Sequence, residues 1–181
     1  PSSSPQQGPT ADHPWKFSSC STSYFTNKIN SLDLNNNNCM KTFSSTYNPN
    51  GLYPYDQVVA GQVYTADQQC QNIYGASSYM CRGQYNNDYS SICSLLWCKN
   101  PTGNDCRSAV AGEGTLCGNK KWCESGVCRS NSNAPSGNDA CLYGDAIGQV
   151  FSNRWTCAQM VIISPINCPA VSEKCCYSCN P

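Results

Sequence analysis

Sixteen cysteines in a chain of 181 residues constrain the fold more than any other feature of this sequence. Sixteen of 181 is roughly 9%, the range in which a cysteine content signals a disulfide scaffold. The count is even, the spacing is scattered without the paired knuckles of a zinc site, and there is one histidine, His13. Disulfides are therefore expected instead of metal ligation. Bridges persist in oxidising compartments, so the sequence predicts a secreted, extracellular protein. The bridges also replace a core that the chain is poorly equipped to build. Its 39% hydrophobic content includes the sixteen cysteines and eleven tyrosines, while Leu, Ile, Val and Phe are sparse. The expected fold is small and disulfide-rich, mostly irregular with short strands, plus one amphipathic N-terminal helix.

Charge excludes some partners. Eleven basic and eleven acidic residues cancel, and no basic footprint of a nucleic-acid binder is present. The most apolar run, MVIISPI at 160–166, is too short to span a bilayer and is broken by Pro165. No nucleic-acid or membrane partner is expected. No signal peptide is visible, and Pro1 followed by SSSPQQGPT reads as a processed or internal start.

The first fourteen residues have the composition of extended, mobile chain. In KFSSCSTSYFTNKINSLDL, Ser18 or Ser19 suits a helix N-cap, and Phe25, Ile29 and Leu32 fall at i, i+4 and i+7 on one helical face. Asn35 to Asn38 should end that helix, because Asn tolerates left-handed backbone. The spacing thus predicts a helix over about 18–34, with a packing partner outside this chain. Residues 44–56 are turn chemistry and mark a boundary. Beyond it lie short strand-like pieces at Val58-Val59 and Gln62-Val63-Tyr64, then a flexible linker, SNSNAPSGND, at 130–139. The tail from 141 holds six cysteines: Cys141, Cys157, Cys168, Cys175, Cys176 and Cys179. Bridge geometry makes adjacent Cys175 and Cys176 reach two different partners, and the pairing otherwise stays open.

Three segments carry a resemblance: GQVYTADQQCQNIYG from Gly61, CSLLWC from Cys93 and GEGTLCGNKKWCESGVC from Gly112. Gly61, Tyr64, Gln69 and Cys70, then Leu96, Trp97 and Cys98, then Gly114, Thr115, Cys117, Gly118, Trp122 and Cys123 fall at the spacings of one pattern. The pattern resembles the disintegrin-like module of the ADAMTS family of secreted zinc metalloproteases (reprolysin group). Upstream, PWKFSSCSTSYFTNKINSLDLNNNNCM is similar to the last helix of such a catalytic domain, an α/β fold, following its methionine turn. The resemblance implies four divisions. Residues 1–46 would be the end of a catalytic domain, 47–129 a disintegrin-like, cysteine-rich module, 130–140 a linker and 141–181 a tail similar to a PLAC module. An ShK-like toxin knot is the alternative for the tail.

That family holds zinc through HExxHxxGxxH, and this sequence lacks the motif. A zinc protease site needs three ligands and a Glu base, which His13 alone cannot supply. No catalytic, cofactor-binding or metal residue is expected here; zinc belongs to a catalytic partner region. The resemblance implies bridges Cys70–Cys98, Cys81–Cys106, Cys93–Cys123 and Cys117–Cys128, with an unusually long Cys81-to-Cys93 spacing. It also implies that Cys20 and Cys39 bond to catalytic-domain cysteines upstream. Either these two pair with each other, or, as we favour, they hold a separate N-terminal chain. Family members often bind calcium just after the second of these cysteines, but here Met40, Lys41 and Thr42 follow, and the lysine argues against such a site.

Trp97 and Trp122 each precede a cysteine, where a large aromatic would stack on a bridge and fill a thin core. The alternative is that Lys120, Lys121 and Trp122 present an anchor for a protein substrate, since Trp is frequent at interface hot spots. Tyr53, Tyr55 and Tyr64 could pack or form a patch. CxxC at Cys176–Cys179 reads as structural bridging, and integrin binding has no support without an RGD tripeptide. The implied function is the non-catalytic C-terminal part of an ADAMTS-like zinc metalloendopeptidase, inactive alone, supporting the catalytic domain and offering an exosite. The alternative is a stand-alone secreted cysteine-rich binding or matrix protein, or an inhibitor or toxin.

Overall fold

A computed structural model describes residues 16–41, 58–148 and 150–180. His13, Thr42, the boundary at 44–56, Tyr53 and Tyr55 lie outside the described residues.

The predicted helix forms as α1, Ser19–Leu34. Ser18 caps it in extended backbone, its Oγ accepting from the Ser21 N–H at 3.1 Å. Asn35 closes it, and Asn36 takes the left-handed φ of 50° that asparagine tolerates. The apolar stripe is present but lies open: Phe25 is 45% exposed, Ile29 36%, and no residue of α1 is buried. Phe17 meets Phe25 edge-on, with ring centroids 5.1 Å apart.

The strand expected at Gln62-Val63-Tyr64 is instead a helical turn, α2, Ala60–Val63, and Val58-Val59 forms no strand. The reason is a close backbone approach. Gly61 packs against the backbone of Gly114 and Thr115, where any Cβ would collide. Its N–H donates to the Glu113 carbonyl at 2.6 Å, and the Gln62 amide donates to the Gly114 carbonyl at 2.5 Å. Curling the chain aims both donors at one turn, whereas an extended strand sends successive residues to opposite faces. A further helix absent from the sequence reading follows, α3, Ala66–Tyr74. Thr65 and Gln68 form a reciprocal capping box at its start, and Gly75 ends it at φ 104°.

Two small antiparallel sheets complete the centre. Strands β1 (Leu96–Lys99) and β2 (Cys106–Ala109) pair with Leu96 opposite Ala109 and Lys99 opposite Cys106. Strands β3 (Leu116–Gly118), β4 (Lys121–Glu124) and β5 (Val127–Ser130) form a meander in which Trp122 faces Arg129 and Cys123 faces Cys128. The β4–β5 turn is two residues, Ser125 and Gly126, both at positive φ (49° and 73°), as a strand-compatible hairpin turn requires.

The core between these pieces is largely sulfur and aromatic: Cys70, Met80, Tyr85, Tyr89, Ile92, Cys93, Leu96, Cys98, Cys117 and Cys123 are buried together. Bridges Cys70–Cys98, Cys93–Cys123 and Cys117–Cys128 run through it; with Cys81–Cys106 they are the same four pairs that the resemblance implies. The stretch expected as a flexible linker is packed. Ala134 is 1% exposed, the Lys120 N–H donates to the Pro135 carbonyl at 3.2 Å, and the Gly137 N–H donates to Asn119 Oδ1 at 3.1 Å. Asparagine and proline there supply turns that fold back on the β3–β4 turn. The chain then places Tyr143 on the core, its ring 4.9 Å from Tyr89 and its hydroxyl donating to the Leu116 carbonyl at 2.6 Å. Burial pushes the Tyr143 phenol well above its ordinary range.

A second, smaller core gathers Cys157, Met160 and Cys175 with Phe151, Trp155 and Val161 packed around them. It contains α4 (Cys157–Ile163) and α5 (Cys168–Val171). Cys175 bonds Cys157 and Cys176 bonds Cys141, so the adjacent pair does reach two partners; Cys168 bonds Cys179. The Cys141–Cys176 bridge ties this tail to the segment packed on the first core.

Candidate functional site

The residues of the sequence pattern converge on one bracket. Gln69, buried on α3, donates through Nε2 to the Tyr64 carbonyl and to Thr115 Oγ1, each at 2.9 Å. Its Oε1 accepts from the Gly112 N–H at 2.8 Å, and the Thr115 hydroxyl donates to the Gly112 carbonyl at 2.7 Å. Gly61, Tyr64, Gln69, Gly114 and Thr115 are thus spaced as they are to dock α2 and α3 onto the turn that leads into β3. Cys70 then locks α3 to β1 through Cys98. Asp67 adds an ion pair, accepting from both Arg82 terminal nitrogens at 2.7 and 3.1 Å, while Arg82 Nε donates to the Tyr143 carbonyl at 2.8 Å. Bidentate geometry of this kind orients as well as attracts.

The surface predicted from Lys120, Lys121 and Trp122 lies on the β3–β4 hairpin. Lys120 occupies the turn at φ 54° and is exposed. Lys121 and Trp122 are consecutive on β4, and successive strand residues point to opposite faces, so these two do not share one. Lys121 shares the face of Cys123 and lines a cleft of about 250 Å³ with Asp88, Tyr89, Asp139, Leu142 and the Cys117–Cys128 bridge. The Ser90 N–H held by Asp88, and then the Lys121 charge, keep the Asp88 carboxyl below the usual range. Trp122 lies on the outer face, half-buried, where its Nε1–H donates to Glu124 Oε1 at 2.7 Å and its cross-strand neighbour is exposed Arg129. Trp122 and then Asn131 hold the Glu124 carboxyl below its ordinary range. Trp97 packs half-buried against the first core, with its backbone N–H on the Tyr85 hydroxyl at 2.8 Å.

Arg129, Asp88 and Asp139 were not reached from sequence. The Ser125-Gly126 dipeptide between Cys123 and Cys128 is a turn signal that places Arg129 opposite Trp122. No local signal brings Asp88 and Asp139 to the same cleft, because they lie 51 positions apart (139 − 88).

Zinc finds no ligand set among the described residues. The one grouping of His, Cys, Asp or Glu close enough to share an ion is Cys93, Cys117 and Cys128. All three sulfurs are bonded to other sulfurs, so none offers the thiolate that zinc takes. Near α1, the Lys41 ammonium sits 2.8 Å from Asp33 Oδ2, a cation already paired with that carboxylate. Lys41 first, and then Asn38, which also donates to Asp33, lower the Asp33 pKa. Cys20 and Cys39 are the two free cysteines, both exposed.

The arrangement defines a disulfide-stapled, cysteine-rich module. Residues 60–129 match the family model for ADAMTS cysteine-rich domain 2. The chain carries an ADAMTS-like cysteine-rich module. It is 38% identical over 122 residues to a human "A disintegrin and metalloproteinase with thrombospondin motifs 6", an alignment covering 64% of this chain and 10% of that protein. It is 35% identical over 136 residues to the human protein of the same name numbered 10, covering 70% of this chain and 11% of the relative. It is 39% identical over 80 residues to human number 18, covering 43% and 6%. The chain spans about a tenth or less of the length of these relatives. The first two alignments are longer than the 70 residues of the matched module (129 − 60 + 1), so the similarity continues beyond it. Among the described residues, no helix is long and apolar enough to cross a membrane.

Proposed function

We propose that this chain is a non-catalytic region of a secreted ADAMTS-like zinc metalloendopeptidase. In this reading α1 completes a catalytic domain that holds the zinc, Cys20 and Cys39 bond that domain, and the cysteine-rich module engages protein substrate away from the scissile bond. One observation carries the reading. Fourteen of the sixteen cysteines pair within the chain, and the two left free lie in the first turn of the helix whose apolar face is open and just beyond its end. A helix of this length gains most of its stability from packing its apolar face, and exposed thiols in an oxidising compartment find partners. The tail acts as a PLAC-like closing unit, and residues 1–46 belong with the catalytic domain.

The candidate exosite is the β3–β4–β5 hairpin, with Lys120 at its turn, Lys121 on the cleft side, and Trp122 beside Arg129 on the outer face. Remote contacts of this kind hold a protein substrate in register and act on long substrates more than on short ones.

Mass spectrometry of the native protein, reduced and unreduced, tests the partner. The expected unreduced species exceeds this chain and loses mass on reduction, through peptides linked at Cys20 and Cys39. A single species of unchanged mass would sink the two-chain form, and a Cys20–Cys39 linked peptide would favour the stand-alone protein. In the assembled protease, Trp122→Ala should lower kcat/KM for a protein substrate and leave a short peptide substrate unaffected. Equal loss on both would remove the exosite.

A further inference from the structure

Two of the module's bridges lie side by side. The sulfur of Cys93 lies within 4.8 Å of both sulfurs of the Cys117–Cys128 bridge. Cys93 is itself bonded to Cys123, so four sulfurs form one cluster. Cys123 and Cys128 are also direct partners across β4 and β5. Glu124 and Val127 flank the two-residue turn, so the next pair outward, Cys123 and Cys128, is the non-hydrogen-bonded kind, in which side chains approach most closely. Its Cα spacing, roughly 4.5 Å in such pairs, falls within the range a disulfide spans. The hairpin thus offers Cys123 a second partner without backbone rearrangement.

We propose that the cluster is a thiol-triggered disulfide switch between the pairing Cys93–Cys123 with Cys117–Cys128 and the pairing Cys93–Cys117 with Cys123–Cys128. Cys93, Cys117 and Cys123 are buried, whereas Cys128 is half-buried and lines the cleft with Cys117. A small monothiol reaches the cluster from there. Its thiolate attacks Cys128 Sγ, forming a mixed disulfide and releasing the Cys117 thiolate. Cys117 attacks Cys93 Sγ and displaces the Cys123 thiolate. Cys123 then attacks the mixed disulfide at Cys128 and returns the external thiolate. Two bridges are broken and two are made, no electrons are gained or lost, and the thiol is regenerated. Lys121 at the cleft favours the thiolate, and the carboxylates of Asp88 and Asp139 in the same cleft favour a neutral or cationic thiol over an anionic one.

The switch changes what holds the candidate surface. In the observed pairing, β4 is tied to Cys93 and β5 to β3. In the other, β4 is tied only to β5, so the hairpin carrying Lys121, Trp122 and Arg129 loses its disulfide ties to the core and is held by main chain and packing alone. The switch stands whether or not that surface binds substrate.

The test uses the native protein with every free thiol first blocked by iodoacetamide. After exposure to dilute 2-mercaptoethanol without denaturant, the sample is acid-quenched, capped with N-ethylmaleimide, cleaved and mapped, with Glu124 a cut site between Cys123 and Cys128. Peptides joined Cys93–Cys117 and Cys123–Cys128 should appear while Cys70–Cys98 and Cys81–Cys106 stay at full yield. In the double variant Cys117→Ser, Cys128→Ser, the Cys93–Cys123 bridge should survive the same exposure. The proposal is overturned if Cys117–Cys128 opens to capped thiols with Cys93–Cys123 intact. It is equally overturned if the four bridges open together, if none opens, or if Cys93–Cys123 is lost as fast in the double variant.

Discussion

Two helices of this chain were built on opposite terms. α1 has sixteen residues, a capped start and an apolar stripe, yet it buries nothing. α3 has nine residues, below the length at which isolated helices hold in water, yet it buries Ala66, Gln69 and Cys70 and is bolted to β1. Local pattern decides that a helix can form, and partners decide what it is worth. In α3 the partners are the 112–115 turn, Arg82 and a disulfide. For α1 they are not supplied by the described residues.

The largest effect expected on that contrast comes from the covalent tie. Removing the Cys70–Cys98 bridge by paired substitution to Ala should destabilise the module by about 2–5 kcal/mol, seen as a lower denaturant midpoint. Phe25→Ala on α1 should leave the module's unfolding where it was. If both shift it equally, α1 packs on the module after all.

Next is the polar bracket. Gln69→Ala leaves the Gly112 N–H without its acceptor and Thr115 without one donor, which should cost about 1–3 kcal/mol in the same measurement. Gln69→Glu keeps the acceptor and removes the Nε2 donors, so it should restore only part of the loss. The capping pair separates the helices more finely. Thr65→Ala should cost the module about 1 kcal/mol, whereas Ser18→Ala should reduce helical circular dichroism without moving the module's midpoint. A shift of that midpoint by Ser18→Ala would break the comparison.

The smallest effect is one of pH. The folded Glu124 carboxyl is held below its ordinary value of 4.5 by the Trp122 indole first and Asn131 second. A group depressed on folding binds its proton more readily unfolded, so its stabilising contribution is complete above about 4.5 and fades as pH falls through the folded value. Trp122→Phe should flatten that decline in a stability profile between neutral and acidic pH. An unchanged profile would remove the Trp122–Glu124 bond as its source.

Much of this fold was legible because its rules are local. Ser18, the Phe25–Ile29 stripe and the asparagine run bound α1 to within a residue or two. Cysteine content announced a bridged scaffold, and the adjacency of Cys175 and Cys176 excluded their own bond. α3 was legible too, in Thr65 and Gln68 three apart, although the cysteine-rich setting obscured it. The linker reading failed because Asn, Ser and Pro describe a flexible tether and a tight run of turns equally well. Lys121 and Trp122 share a hairpin but not a face, because adjacency in a strand sends successive side chains to opposite sides.

The candidate site lay mostly beyond such rules. That Arg129 stands across from Trp122 depends on strand register, and that Asp88 and Asp139 share a cleft depends on a chain that returns after fifty-one residues (139 − 88). The close approach of the two bridges at Cys93 has the same origin. The sequence by itself determined that sulfur would replace a hydrocarbon core, that one helix would be capped at Ser18 or Ser19, and that the Gly61-to-Cys123 pattern was present. Only the tertiary structure decided which face each side chain serves and which sulfurs are neighbours. Composition and spacing act through bonds between near residues, whereas a surface or a sulfur cluster is made by chain segments that meet only once the rest has folded.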